Sequence, residues 1–181
     1  GSLAIQVYGG HGFIKEHGVE QIVRDAKILC LYEGTNGIQA MDLVRRKLMM
    51  HNGRLAGRFF AAVRAELNAD APLGWITRPL GRAVDELESA TQFLIESFKT
   101  SPETAGFAAV DYQRAFCLTY LGWNWLRMVK AAAGHPDEGF RKAKHATAEF
   151  FIGRMLPQVH ALLGTVRAPT ESLVELDAVN F

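Results

Sequence analysis

At 181 residues, with 49% apolar and 22% charged side chains, the chain has enough material to bury a core and reads as globular, in one or two domains. Its 20 basic and 19 acidic residues leave a formal net charge of +1, which excludes a strong overall field for nucleic acid or an anionic membrane. Cys30 and Cys117 stand far apart without a CxxC or His/Cys ligand spacing, so neither a disulfide framework nor a zinc site is indicated, and a reducing, cytoplasmic compartment is expected.

No apolar run reaches the roughly 20 residues that a membrane-spanning helix needs, and no charged-then-apolar leader opens the chain. Gly1 and Ser2 read as a remnant of processing, so the natural chain is expected to continue upstream of Leu3. Residues 8 to 18, "YGGHGFIKEHG", carry four glycines in eleven positions. At about 1 kcal/mol each in a helix interior, these glycines predict a loop.

From Val19 the positions Ile22, Ala26 and Leu29 recur at spacings of four and three, which predicts a helix running to about Tyr32. A second helix is expected after "GTNG", with Gly37, Met41, Val44 and Leu48 on one stripe and a bend at His51-Asn52-Gly53. Beyond it, Pro/Gly punctuation at "DAPLGW", "TSPETAG" and "AAGHPDEG" separates three further helical segments. The first has the stripe Leu80, Val84, Leu87, Thr91, Leu94 and Phe98. The second, from about Phe107 to Ala132, holds Val110, Cys117, Leu121, Trp125 and Met128. The third, from about Glu138 to Val166, repeats the spacing at Met155, Val159, Leu162 and Val166, with Pro157 expected to kink or break it. No useful strand alternation occurs, and the expected fold is an all-α antiparallel helical bundle.

The residues alone leave two readings of Glu33. If helical geometry persists, it projects from the face of Ala26 and Leu29 as a partly desolvated carboxylate, a condition that prepares a general base. If the helix ends at Tyr32, Glu33 is a solvated turn residue. Thr35 or Asn36 is an N-cap candidate, and the free N–H groups there could alternatively receive an anion. His145 with Glu149 lacks the second histidine of HExxH, Trp125 fits a packing stripe, and "GGHG" matches neither GxGxxG nor Walker A. Arg45, Arg46, Lys47, Arg54, Arg58 and Arg64 read most simply as a solvated face, with contact to a partner or nucleic acid as the other reading.

Residues 6 to 48, through Gln6-x-x-Gly9-Gly10-x-Gly12-Phe13, Arg24-Asp25-Ala26-Lys27-Ile28 and Tyr32-Glu33-Gly34-Thr35, resemble the end of the C-terminal helical domain of acyl-CoA dehydrogenases. From about residue 52, the chain resembles the extra C-terminal helical module of a subset of that family, as in "AKHATAEFFIGRMLPQV". The resemblance divides the chain into 1–51 and 52–181 and implies an FAD-dependent α,β-desaturation of an acyl-CoA substrate. In the family, a carboxylate at the Glu33 position removes the α-proton while the β-hydrogen leaves as hydride to flavin N5. The backbone N–H of that residue helps to stabilise the enolate.

By the same resemblance, Tyr32 would line the acyl pocket and Gly34 would let the backbone approach the thioester. Gln6, Val7, Tyr8, Gly9, Gly10 and Thr35 would contact FAD. Gly37 departs from the glutamine often found there, and Gln21 from a basic residue. A homo-oligomer and an electron-transfer flavoprotein as partner are implied, and the near-neutral charge argues against nucleic acid. The expectation is a fragment that keeps the base, lacks most of the cofactor cradle and is inactive alone. The alternative is a helical oligomerisation or DNA-contacting module of an alkylation-response relative.

Overall fold

The computed structural model describes residues 2–67 and 73–170, and every regular element among them is helical. Two compact units divide the chain, Gly1–Gln39 and Ala40–Phe181.

The first unit holds α1 (Ser2–Tyr8), α2 (Gly10–Phe13), a 3₁₀ turn (Lys15–His17), α3 (Val19–Lys27), a 3₁₀ turn (Ile28–Cys30) and the start of α4 (Asn36–Asp42). The glycine-rich stretch is therefore not a continuous loop. Gly9 reverses the chain in the left-handed region (φ 58°). Gly12 allows α2 to lie directly on α1, because a Cβ there would sit 2.6 Å from the Ile5 carbonyl oxygen. The glycines act at the joints between short helices, a pattern that a per-residue penalty reads only as helix breaking. The apolar face predicted for α3 is turned outward, with Ile22 64% and Leu29 63% exposed.

In the second unit, α4 continues into a π-helical turn (Leu43–Lys47), and the predicted stripe holds: Val44 and Leu48 are buried and Met41 packs against the core. The predicted bend is a left-handed turn of three consecutive residues, His51 (φ 55°), Asn52 (φ 52°) and Gly53 (φ 78°). Asn and Gly tolerate this region best, and here they stand together. Helix α5 (Arg54–Leu67) follows and buries Ala56, Phe60 and Val63; no stripe was predicted for it.

The part of the "DAPLGW" break at residues 70–72 lies outside the described residues. Helix α6 (Gly74–Thr100) starts ahead of the predicted stripe and runs through Pro79. Leu80, Val84, Leu87, Thr91 and Leu94 are buried as the spacing predicts, and Phe98 is partly buried. Ser101 alone separates α6 from α7 (Pro102–Ala132), where Pro102 occupies the first turn. "TSPETAG" therefore punctuates by a single residue and the rest of it is helical. The two helices span about 40 and 46 Å at 1.5 Å per residue.

The predicted stripe on α7 is wrong. Val110 and Leu121 are 44% and 45% exposed, Cys117 is exposed, and Trp125 and Met128 are only half-buried. The buried face is instead Ala105, Ala108, Ala109, Tyr112, Ala115, Thr119, Gly122 and Leu126. Small residues on this face let α7 approach its neighbours closely: a Cβ on Gly122 would lie 3.1 Å from Leu80 Cδ1 and 3.4 Å from Leu156 Cδ1. Because α7 is apolar nearly all round, large side chains do not mark its inner face.

Helix α8 (Glu138–Phe150) opens with the Asp137 side chain accepting from the Phe140 N–H, a sequence-local cap. A π-helical turn (Phe151–Met155) follows, closed by the Leu156 N–H on the Phe151 carbonyl at 2.9 Å. Pro157 then separates it from α9 (Gln158–Val166), the predicted break. Helix α7 packs against α6, α8 and α9, and Val159, Leu163 and Val166 close the core.

Candidate active site

Helix α3 ends at Lys27, five residues before the predicted end, and tightens into the 3₁₀ turn where the N–H groups of Leu31 and Tyr32 both donate to the Ile28 carbonyl, at 2.9 and 3.1 Å. Glu33 therefore does not continue the helical face of Ala26 and Leu29. It occupies a left-handed turn (φ 57°), followed by Gly34 (φ 104°), and its side chain is exposed. The turn reading of its backbone is the one observed.

That turn is specifically built. The Gln39 side-chain amide, one turn into α4, donates to the Glu33 carbonyl at 2.6 Å. The Gln39 backbone N–H meanwhile bonds the Thr35 carbonyl at 3.0 Å as α4 begins. Gly34 suits the turn by its positive φ, and a Cβ there would come 2.9 Å from Gln39 Nε2 and push that amide aside. A non-glycine residue in the left-handed region costs on the order of 1 kcal/mol, and such residues cluster at functional sites. The backbone N–H of Glu33 donates to no acceptor among the described residues. The turn thus presents a carboxylate and an adjacent free N–H from one residue. Nothing in the sequence reading marked Gln39; its place six residues after Glu33, within the first turn of the next helix, is the signal that could have found it.

The predicted site residues fall on two turns of the first unit. Tyr32, Glu33, Gly34 and Thr35 share the α3–α4 turn, with Tyr32 half exposed. Gln6, Val7 and Tyr8 form the exposed end of α1, and Gly9 and Gly10 make the joint to α2. A Cβ at Gly9 or Gly10 would meet nothing within 4 Å, so that joint presents open backbone. The basic cluster is partly neutralised: Asp42 pairs with Arg46 at 2.5 Å and Lys47 at 3.2 Å, and Arg64 pairs with Asp85 and Glu88 at 2.7 and 2.6 Å. Trp123 lies in an aromatic cluster with Phe59 and Tyr120, under the Arg127 guanidinium, and its role is packing.

The family described as "Acyl-CoA dehydrogenase, C-terminal domain" matches residues 1–48, and the family described as "Acetyl-CoA dehydrogenase C-terminal like" matches residues 59–177. This chain belongs to the acyl-CoA dehydrogenase family. It is 34% identical, over 96% of its length, to a 3-methylmercaptopropionyl-CoA dehydrogenase of Ruegeria pomeroyi, and covers 31% of that protein. It is 27% identical, over 98% of its length, to the broad-specificity linear acyl-CoA dehydrogenase FadE5 of Mycobacterium tuberculosis, and covers 32% of it. A shorter match, 47% identical over 21% of the chain and 10% of the relative, is to the caffeyl-CoA reductase-Etf complex subunit CarC of Acetobacterium woodii. The chain thus spans about a third of the length of the first two relatives. The left-handed turn at His51–Gly53 falls between the two matched segments.

Proposed function

We propose that the full-length protein catalyses α,β-desaturation of an acyl-CoA thioester with FAD as cofactor, and that Glu33 is the base. The observation that carries this reading is the Glu33 turn itself: a strained, left-handed glutamate, fixed by Gln39 and lying inside the segment matched by the family's C-terminal domain. Abstraction of an α-proton needs a carboxylate placed close to a weakly acidic C–H and a donor for the oxygen that gathers charge. Glu33 has both to offer. Its carboxylate takes the α-proton, the C–H electron pair passes into the thioester enolate, and its free N–H donates to the enolate oxygen. Tyr32 lines the acyl side, and Gly34 lets the thioester reach the backbone.

The residues present fit a dinucleotide in kind. The open backbone at Gly9 and Gly10, beside the exposed Gln6, Val7 and Tyr8, offers amide, phenol and peptide groups, and Thr35 adds a hydroxyl at the second turn. These six residues would hold FAD, which when bound would supply the acceptor for the hydride leaving Cβ.

The same proposal takes residues 1–51 as the end of the general helical domain and 52–181 as the extension. It reads the protein as a homo-oligomer that delivers electrons to an electron-transfer flavoprotein, a partner class supported by the match to the Etf-complex subunit. The outward apolar side chains of the first unit, among them Leu3, Val7, Ile22 and Leu29, suit a segment that packs against further protein. Alone, the chain binds FAD weakly or not at all and does not turn over. Glu33→Gln in the full-length protein tests the assignment of the base, with flavin content read alongside desaturation.

A further inference from the structure

We infer that the extension carries a binding site for a small anionic amphiphile, a medium-chain carboxylate, in the groove between the C-terminal end of α7 and the first half of α8. The inference is independent of the desaturase reading. One hollow of about 210 Å³ has an apolar floor that includes Leu73, Val129 and Ala132, and its rim is Arg141, Lys144 and His145. A second, of about 200 Å³, adjoins it through Ala132 and Lys144 and adds Met128 and Phe140. Among the described residues neither lining contains a carboxylate, so the charged side chains that line the groove are basic.

Arg141 and Lys144 are held in place by contacts that involve no carboxylate among the described residues. Lys144 Nζ lies over the rings of Trp125 and Phe140, at 5.9 and 5.3 Å, and pairs with no carboxylate among the described residues. Arg141 is fixed through Nη1, which donates to the carbonyls of His135 and Pro136. The His145 ring packs on Trp75 at 4.7 Å, and its Nδ1 lies 3.6 Å from Glu149.

An apolar trough rimmed by a guanidinium, an ammonium and an imidazole is complementary to a ligand with an unbranched tail and one negative head. A cavity of roughly 150 Å³ holds a six-carbon ring. Each hollow therefore suits a single chain of about six to eight carbons and is too small for a two-chain lipid.

Octanoate is the probe, titrated calorimetrically into the 181-residue chain. With ten non-hydrogen atoms, its expected Kd is on the order of 1 mM. Octanol, which lacks the charge, and acetate, which lacks the tail, should bind at least about tenfold more weakly. Lys144→Gln should weaken octanoate by about tenfold and leave octanol unchanged. Ala132→Leu, which fills the floor, should abolish octanoate binding with the helical circular dichroism intact. Absence of saturable octanoate binding up to about 20 mM would overturn the inference. So would octanol binding as well as octanoate, or undiminished octanoate binding by the folded Lys144→Gln chain.

Discussion

The side-chain amide of Gln39 holds the carbonyl of Glu33 at 2.6 Å, and so couples the first turn of one helix to a left-handed residue beyond the end of another. This single bond fixes the backbone of the proposed base without touching its carboxylate. Freedom at the carboxylate and rigidity at the backbone are what a base needs if it must meet a substrate C–H in one geometry.

Gln39→Ala should therefore act on rate more than on stability. Loss of one neutral hydrogen bond costs about 1 kcal/mol, whereas a small displacement of the base should lower kcat of the full-length protein by roughly tenfold, since misplacement by about 1 Å can cost a hundredfold. Thermal melts and steady-state turnover of the same preparation measure both. Unchanged kcat would detach Gln39 from the positioning of Glu33.

The buried pair Thr91 and Tyr112 supports an asymmetric prediction. Thr91 Oγ1 donates to the Leu87 carbonyl at 2.8 Å, so the Tyr112 hydroxyl is the donor in the 2.7 Å contact between the two side chains. Tyr112→Phe leaves no donor orphaned and should cost about 1 kcal/mol; Thr91→Val strands a buried phenol and should cost about 2 kcal/mol. Denaturant midpoints of both variants decide the order. Burial also pushes the Tyr112 hydroxyl well above the usual phenol range, so this donor persists through ordinary alkaline conditions.

At the end of α4, the Arg46 guanidinium first, and Lys47 with it, hold the Asp42 carboxyl at about 2 against an ordinary 3.8. A depressed folded-state pKa stabilises fully above the unfolded value, and that stabilisation disappears as pH falls from about 4 through about 2. Asp42→Asn should consequently lower Tm at neutral pH, with the difference from the parent chain shrinking across that acid window. A Tm difference that stays constant with pH would contradict the assignment to this carboxyl.

The sequence was most legible where large apolar side chains recur at helical spacing and where backbone exceptions announce themselves. Leu80 through Leu94 of α6 fall on the predicted face because branched and aliphatic groups there are both numerous and confined to one side. His51-Asn52-Gly53 declared its turn through residue types that accept left-handed geometry. On α7 the same procedure failed, since its inner face is chosen by alanines and Gly122, which permit close approach, while larger side chains such as Val110 and Leu121 point out. At the candidate site, the motif pointed to Glu33 but periodicity extended α3 five residues too far. The competition was local: the paired donors of Leu31 and Tyr32 on the Ile28 carbonyl, the glycine at 34 and the reach of Gln39 outweigh continuation of the helix.

The role proposed for the turn at Glu33 is to present a proton acceptor. Stopped-flow measurement of acyl-CoA desaturation by full-length Glu33→Gln, with bound FAD quantified in the same sample, tests it most directly. Flavin should stay bound at the parent level while the desaturation rate falls by about a thousandfold, within the roughly 10²–10⁴-fold range of a general-base contribution. Desaturation at the parent rate, with flavin still bound, would contradict it.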